Sequence, residues 1–126
     1  MIQPITFGHK SIIKTLYKNG ELPTVVKDIY GKPLSADTVT LEHIIPKSKG
    51  GGSNLKNYAL ANAEDNFKRS SQDIIKHTTK ANINEYLDQF TGIAKQGFNG
   101  DEYIKGIRNL FKSLGVKLWY GTKIKN

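Results

Sequence analysis

Residues 38–45 (TVTLEHII) constrain this chain more than any other stretch. They are rich in β-branched and apolar side chains and are stopped by Pro46, so they read as a strand with Glu42 and His43 near its end. Three consecutive glycines, Gly50, Gly51 and Gly52, follow in a flexible loop whose bare backbone can approach a phosphate closely. Residues 58–61 then pair back as a second short strand. Asn62 is placed to cap a helix starting at Ala63, with Glu64 and Asp65 in its first turn and Asp65 at the capping-box position. Residues 38–75 therefore predict a strand, a glycine loop, a strand and a helix that carries Asn66, Lys68 and Arg69, with the polar side chains gathered at the junctions.

The flanks read as helical. Ile12, Ile13, Leu16 and Tyr17 form one apolar stripe over 9–20, and Gly20 supplies a stop. Residues 82–115 carry two further stripes: Ile83, Leu87, Phe90 and Ala94, then Tyr103, Ile107, Leu110, Phe111 and Leu114, ended by Gly115. Residues 24–34 are ambiguous. Val25, Val26, Ile29 and Tyr30 fit a short helix, while Gly31, Lys32 and Pro33 fit a hairpin turn, which the motif below favours. Residues 116–120 read as a final strand or an extended tail. The fold class expected is α+β, in one domain spanning 1–126, since 126 residues suffice for a modest single core and no linker or repeat divides them.

The chain has no cysteine, so disulfides, thiolate zinc sites and cysteine nucleophiles are excluded together, and any metal must sit on oxygen or nitrogen. No apolar run is long enough for a membrane helix, and the first residues lack a signal-peptide layout, so a cytoplasmic location is expected. The formal charge is +8, and residues 103–126 carry six basic side chains and no acidic one. That balance suits a polyanion such as nucleic acid, and equally an anionic membrane face or simple solubility. Among the 19 basic residues only Arg69 and Arg108 are arginine, which favours point-charge phosphate contacts over bidentate base reading, hence modest sequence specificity.

Chemistry concentrates in residues 41–57 (LEHIIPKSKGGGSNLKN), followed by Asn66 and, three residues on, Arg69. An acidic residue and His43, Pro46 three positions after the histidine, a glycine-rich loop, a middle Asn57, a final Asn66 on the helix and a basic residue beyond it form a pattern that resembles the HNH (His-Me finger) endonucleases. The likeness is nearest to HNH domains of phage-type endonucleases and RNA-guided CRISPR effectors, and it covers about 40 of the 126 residues.

The resemblance implies a ββα-metal finger core over 38–75, embedded in the N- and C-terminal helices. It implies hydrolysis of phosphodiester bonds in DNA, with RNA not excluded, leaving a 5′ phosphate and a 3′ hydroxyl. His43 is the implied general base, and an unperturbed imidazole, with a pKa of ~6.5, is largely neutral at physiological pH. Neighbours on a strand point to opposite sides. Glu42 is therefore expected to face the helix and join Asn66 on one divalent ion, Mg²⁺ or Mn²⁺, while His43 reaches the phosphate from the other side. Asn57 is implied to orient the loop and the histidine backbone. Lys47, Lys49, Lys68 and Arg69 are candidate phosphate clamps.

Two departures stand out. Many family members brace this core with two Cys-x-x-Cys pairs on a structural zinc; here Lys27 and Tyr30, then Asn62 and Asp65, take those positions, so no structural zinc is expected and the flanking helices become the candidate brace. Glu42 also replaces the commoner aspartate. His9 and His77 have no partner pattern and are given no role. The competing expectations are a catalytically silent nucleic-acid-binding module with the same fold, and a protein whose basic tail docks on an acidic partner. Oligomeric state stays open.

Overall fold

A computed structural model describes residues 11–95 and 97–118. It contains four helices, α1 (Ile12–Lys18), α2 (Ala63–Arg69), α3 (Lys80–Asp88) and α4 (Gly100–Ser113), and two antiparallel pairs, β1 (Val39–His43) with β2 (Tyr58–Asn62) and β3 (Ala94–Lys95) with β4 (Phe98–Asn99). The architecture is α+β. No helix among the described residues is long and apolar enough to cross a membrane.

The central hairpin pairs Val39 with Asn62, Leu41 with Leu60 and His43 with Tyr58. A two-stranded sheet leaves an outer edge whose buried backbone groups need partners, and β2's edge is served by side chains and a loop. Tyr103 donates its hydroxyl to Tyr58 O at 2.6 Å, and the Leu60 N–H donates to the Tyr86 hydroxyl at 2.8 Å. The Ile29 N–H reaches Leu60 O at 3.2 Å, and the Asn62 N–H reaches Asp28 Oδ2 at 2.9 Å. Burial holds both tyrosine hydroxyls well above their ordinary pKa, so each stays a donor. Their rings join Phe90 and Phe98 in an edge-to-face cluster, with Ile83, Leu87, Ile107 and Phe111 filling the core around it.

Helix α1 keeps Ile12, Ile13 and Leu16 buried and is followed by Gly20 at φ +77°; His9 lies outside the described residues, as do Trp119 and Tyr120. Residues 24–34 form a turn and not a helix: the Asp28 N–H bonds Lys32 O at 2.7 Å, Lys27 bridges Pro33, and Gly31 supplies a φ of +84° with no room for a Cβ beside Asn82. The second apolar stripe, over 83–94, is shorter than expected. α3 ends at Asp88, Gly92 turns the chain at φ +77°, and Ala94 lies exposed in β3. Residues 116–118 leave α4 without regular structure.

The capping expectation at α2 holds in part. The Asn62 side chain accepts the Glu64 N–H at 3.0 Å, but its own N–H goes to Asp28 and not back to Asp65. Asp28, fully buried, also accepts the N–H groups of Tyr30 and Lys32 at 2.9 and 2.8 Å. Its carboxyl is pushed up to about 6, by burial first and also by the Asp65 side chain, against the three N–H bonds. A carboxyl whose folded pKa lies above its unfolded value of about 4 stabilises the fold fully below that value and loses the contribution as pH climbs to about 6. Asp65→Asn should flatten this part of the profile and raise stability at pH 7 by about 1 kcal/mol. Urea midpoints from pH 4 to 7 for both proteins are the check; parallel profiles would show that the two carboxyls are not coupled.

Candidate active site

The site forms where β1 ends. Beyond His43 the chain leaves the ladder, and its next peptide groups are held by two side chains from different elements. Asn57, buried in the turn before β2, accepts the Ile45 N–H on Oδ1 at 2.8 Å and donates Nδ2 to Ile45 O at 3.0 Å and Gly52 O at 2.9 Å. This clamp explains the central glycine of the loop. A Cβ on Gly51 would stand 1.8 Å from Ile45 O and 2.9 Å from Asn57 Nδ2, so only glycine lets the loop close on the clamp. Gly50, at φ +89°, ends the short helical turn Lys47–Lys49.

Arg69 is the second holder. It is 0% exposed. Nη1 donates to His43 O and Nη2 to Ile44 O, both at 2.6 Å, while Nε donates to Gln72 O at 2.7 Å. The last contact depends on a sharp exit from α2, where Ser70 takes φ +54°. The expectation that Arg69 clamps substrate phosphate is therefore corrected: its guanidinium is spent on backbone carbonyls and on Glu42 inside the protein. The other candidate cations, Lys47, Lys49 and Lys68, are exposed; Lys49 lies 3.5 Å from Asp73 and Lys68 3.6 Å from Glu64, surface pairs that constrain them weakly.

Glu42 and His43 separate as neighbours on a strand do. The His43 ring is half-buried and meets the Tyr58 ring edge-on at 4.7 Å. Glu42 is 3% exposed and shares a buried network with α2 and the 24–34 turn. Its Oε2 accepts the Tyr30 hydroxyl and lies 3.2 Å from Arg69 Nη1. Burial raises its pKa, opposed by the Tyr30 hydrogen bond and the Arg69 charge. Asn66, one turn from Arg69 on the same face of α2, donates Nδ2 to Thr40 Oγ1 at 3.0 Å and to Leu41 O at 3.4 Å. Thr40, Glu42, Asn66 and Arg69 thus meet between β1 and α2.

Compared with known families, curated proteins and solved structures, the chain gives no match.

Among the described residues no group of three or more His, Cys, Asp or Glu side chains is placed to hold a metal. The donors that meet here are one carboxylate and one amide, hard oxygen ligands of the kind that Mg²⁺ and Mn²⁺ accept while keeping several waters. In chemistry they suit one such ion.

Three residues matter that sequence reasoning did not put in these roles. Tyr30 is Glu42's hydroxyl donor, Thr40 anchors Asn66, and Asp28 ties the 24–34 turn to the start of α2. Of these, only Asp28 carried a signal, an aspartate opening a Gly-Lys-Pro turn, the position where such a side chain bonds the backbone ahead of it. Helix α3 completes the brace: Gln89 Oε1 accepts the N–H groups of Val26 and Lys27 at 2.8 and 2.9 Å, and Asn82 Nδ2 donates to Tyr30 O at 3.2 Å. His77 pairs with Gln72 on the surface at 2.8 Å, away from these residues.

Proposed function

We propose that this protein is a metal-dependent endonuclease of the HNH type, hydrolysing phosphodiester bonds in DNA, with β1, β2 and α2 as a ββα-metal core. The observation that carries the reading is the convergence at the end of β1. His43 lies half-buried on one side of the strand while Glu42 faces α2, which carries Asn66, on the other, and the peptide groups after the histidine are clamped by Asn57 and Arg69. Rigid placement of a base is what phosphodiester hydrolysis rewards, because little of the barrier is removed unless water, phosphate and base are aligned.

In this reading His43 takes the proton of the attacking water. Arg69 holds its carbonyl and Asn57 holds Ile45 just beyond it, so the imidazole swings about its side-chain torsions alone. Glu42 and Asn66 would hold one Mg²⁺ or Mn²⁺, which when bound neutralises charge growing on the phosphate and the departing 3′ oxygen. Lys47, Lys49 and Lys68 supply exposed positive charge around the centre for the flanking phosphates. The lysine-rich, +8 chain supports a nucleic-acid substrate held chiefly through its backbone.

The test is conversion of supercoiled plasmid to nicked and linear forms by wild type and His43→Ala, with Mg²⁺, with Mn²⁺ and with chelator. Wild type should cut only with metal, and His43→Ala should be slower by about a hundredfold or more while unfolding at the wild-type midpoint. Absence of cutting on plasmid, single strands, junctions and RNA under every metal would replace this reading with a binding module.

A further inference from the structure

Building on the metal-dependent reading of the site, we propose that Tyr30, Arg69 and Thr40 are positioning residues that pre-orient Glu42 and Asn66 for a divalent cation. Each head group is held by side chains of the surrounding elements, and the His43 backbone N–H also hydrogen-bonds the Glu42 carboxylate. Tyr30 and Arg69 both contact Oε2 of Glu42, and neither contact uses Oε1. Thr40 and Leu41 both take Nδ2 of Asn66, and neither bond uses Oδ1. In both cases these side chains fix the rotamer through an atom other than the oxygen proposed for the cation.

The three positioning residues come from three elements: the 24–34 turn, β1 and α2. Thr40 is itself fixed, since its hydroxyl donates to Ala61 O across the hairpin at 3.0 Å and can then only accept from Asn66. Tyr30 is buried and its backbone is held by Asp28 and Asn82, so its hydroxyl arrives at Glu42 from a rigid turn. Partners of this kind that orient a ligand without touching the metal typically change affinity by about 10- to 100-fold when removed. They also account for glutamate here: the extra methylene carries the carboxylate far enough to reach both Tyr30 and Arg69.

Tyr30→Phe and Thr40→Val each remove one hydroxyl and keep nearly the same volume. Mn²⁺ binding to the free protein, followed by electron paramagnetic resonance without nucleic acid, reads the effect directly. Each variant should bind Mn²⁺ about tenfold or more weakly, with an unchanged circular dichroism spectrum, whereas His43→Ala should bind as wild type does. Loss of Mn²⁺ binding in Glu42→Gln together with wild-type affinity in Tyr30→Phe and Thr40→Val would overturn the positioning role and leave the nuclease reading intact. Wild-type affinity in Glu42→Gln, or no binding by wild type, would overturn the metal reading itself.

Discussion

Arg69→Met is expected to cost about 4 kcal/mol of folding free energy, a large share of the roughly 5–15 kcal/mol that holds a domain of this size together. Methionine fills much of the same space, so the loss is electrostatic. Glu42 would keep its place in the interior with Tyr30 as its remaining side-chain partner, and breaking a buried pair in this way costs about 3–5 kcal/mol. The carbonyls of His43, Ile44 and Gln72 would lose their donors as well. Urea unfolding at pH 7 measures the loss. Adding Glu42→Leu should recover at least half of it, because replacing both members of a buried pair by apolar groups is far less costly than removing one. A single variant that unfolds within about 1 kcal/mol of wild type, yet binds DNA more weakly, would restore Arg69 to the surface role that its sequence position suggested.

That contrast shows where sequence reasoning stops. β1, β2 and α2 were legible because each rests on local chemistry: β-branched residues halted by Pro46, a glycine run, and Asn62 before Glu64. The opposite facing of Glu42 and His43 was legible too, since it follows from the pleat alone. Burial of Arg69 was not. A lone arginine after Asn66 and Lys68 looks like a phosphate contact until the fold lays the same helix face against the backbone at the end of β1. The 83–94 stripe overran for a similar reason. Phe90 keeps the helical period of Ile83 and Leu87, but α3 has ended at Asp88, and Phe90 is buried from the turn that precedes Gly92.

Asp28→Ala should be comparably damaging, with a loss of about 4 kcal/mol, because the buried N–H of Tyr30 and the part-buried N–H groups of Lys32 and Asn62 would lose their acceptor, at about 1–3 kcal/mol for the buried one and less for the other two. Asp28→Asn, which keeps one acceptor oxygen but turns an amide toward the other donors, should lose about 2 kcal/mol. Urea midpoints rank the three proteins, and hydrogen exchange at Tyr30, Lys32 and Asn62 localises the effect; a loss below about 1 kcal/mol in Asp28→Ala would mean that water or Asp65 takes over as acceptor. The size of the loss follows from what Asp28 joins. One carboxylate links the turn that presents Tyr30 to the residue that caps the helix presenting Asn66 and Arg69. The turn and the helix start are also the two places where a zinc knuckle would sit in the nucleases this sequence resembles. A cross-link made of hydrogen bonds to a carboxyl responds to the protonation of that carboxyl. The residue that joins this turn to the start of α2 should therefore also make stability fall as pH rises from about 4 to about 6.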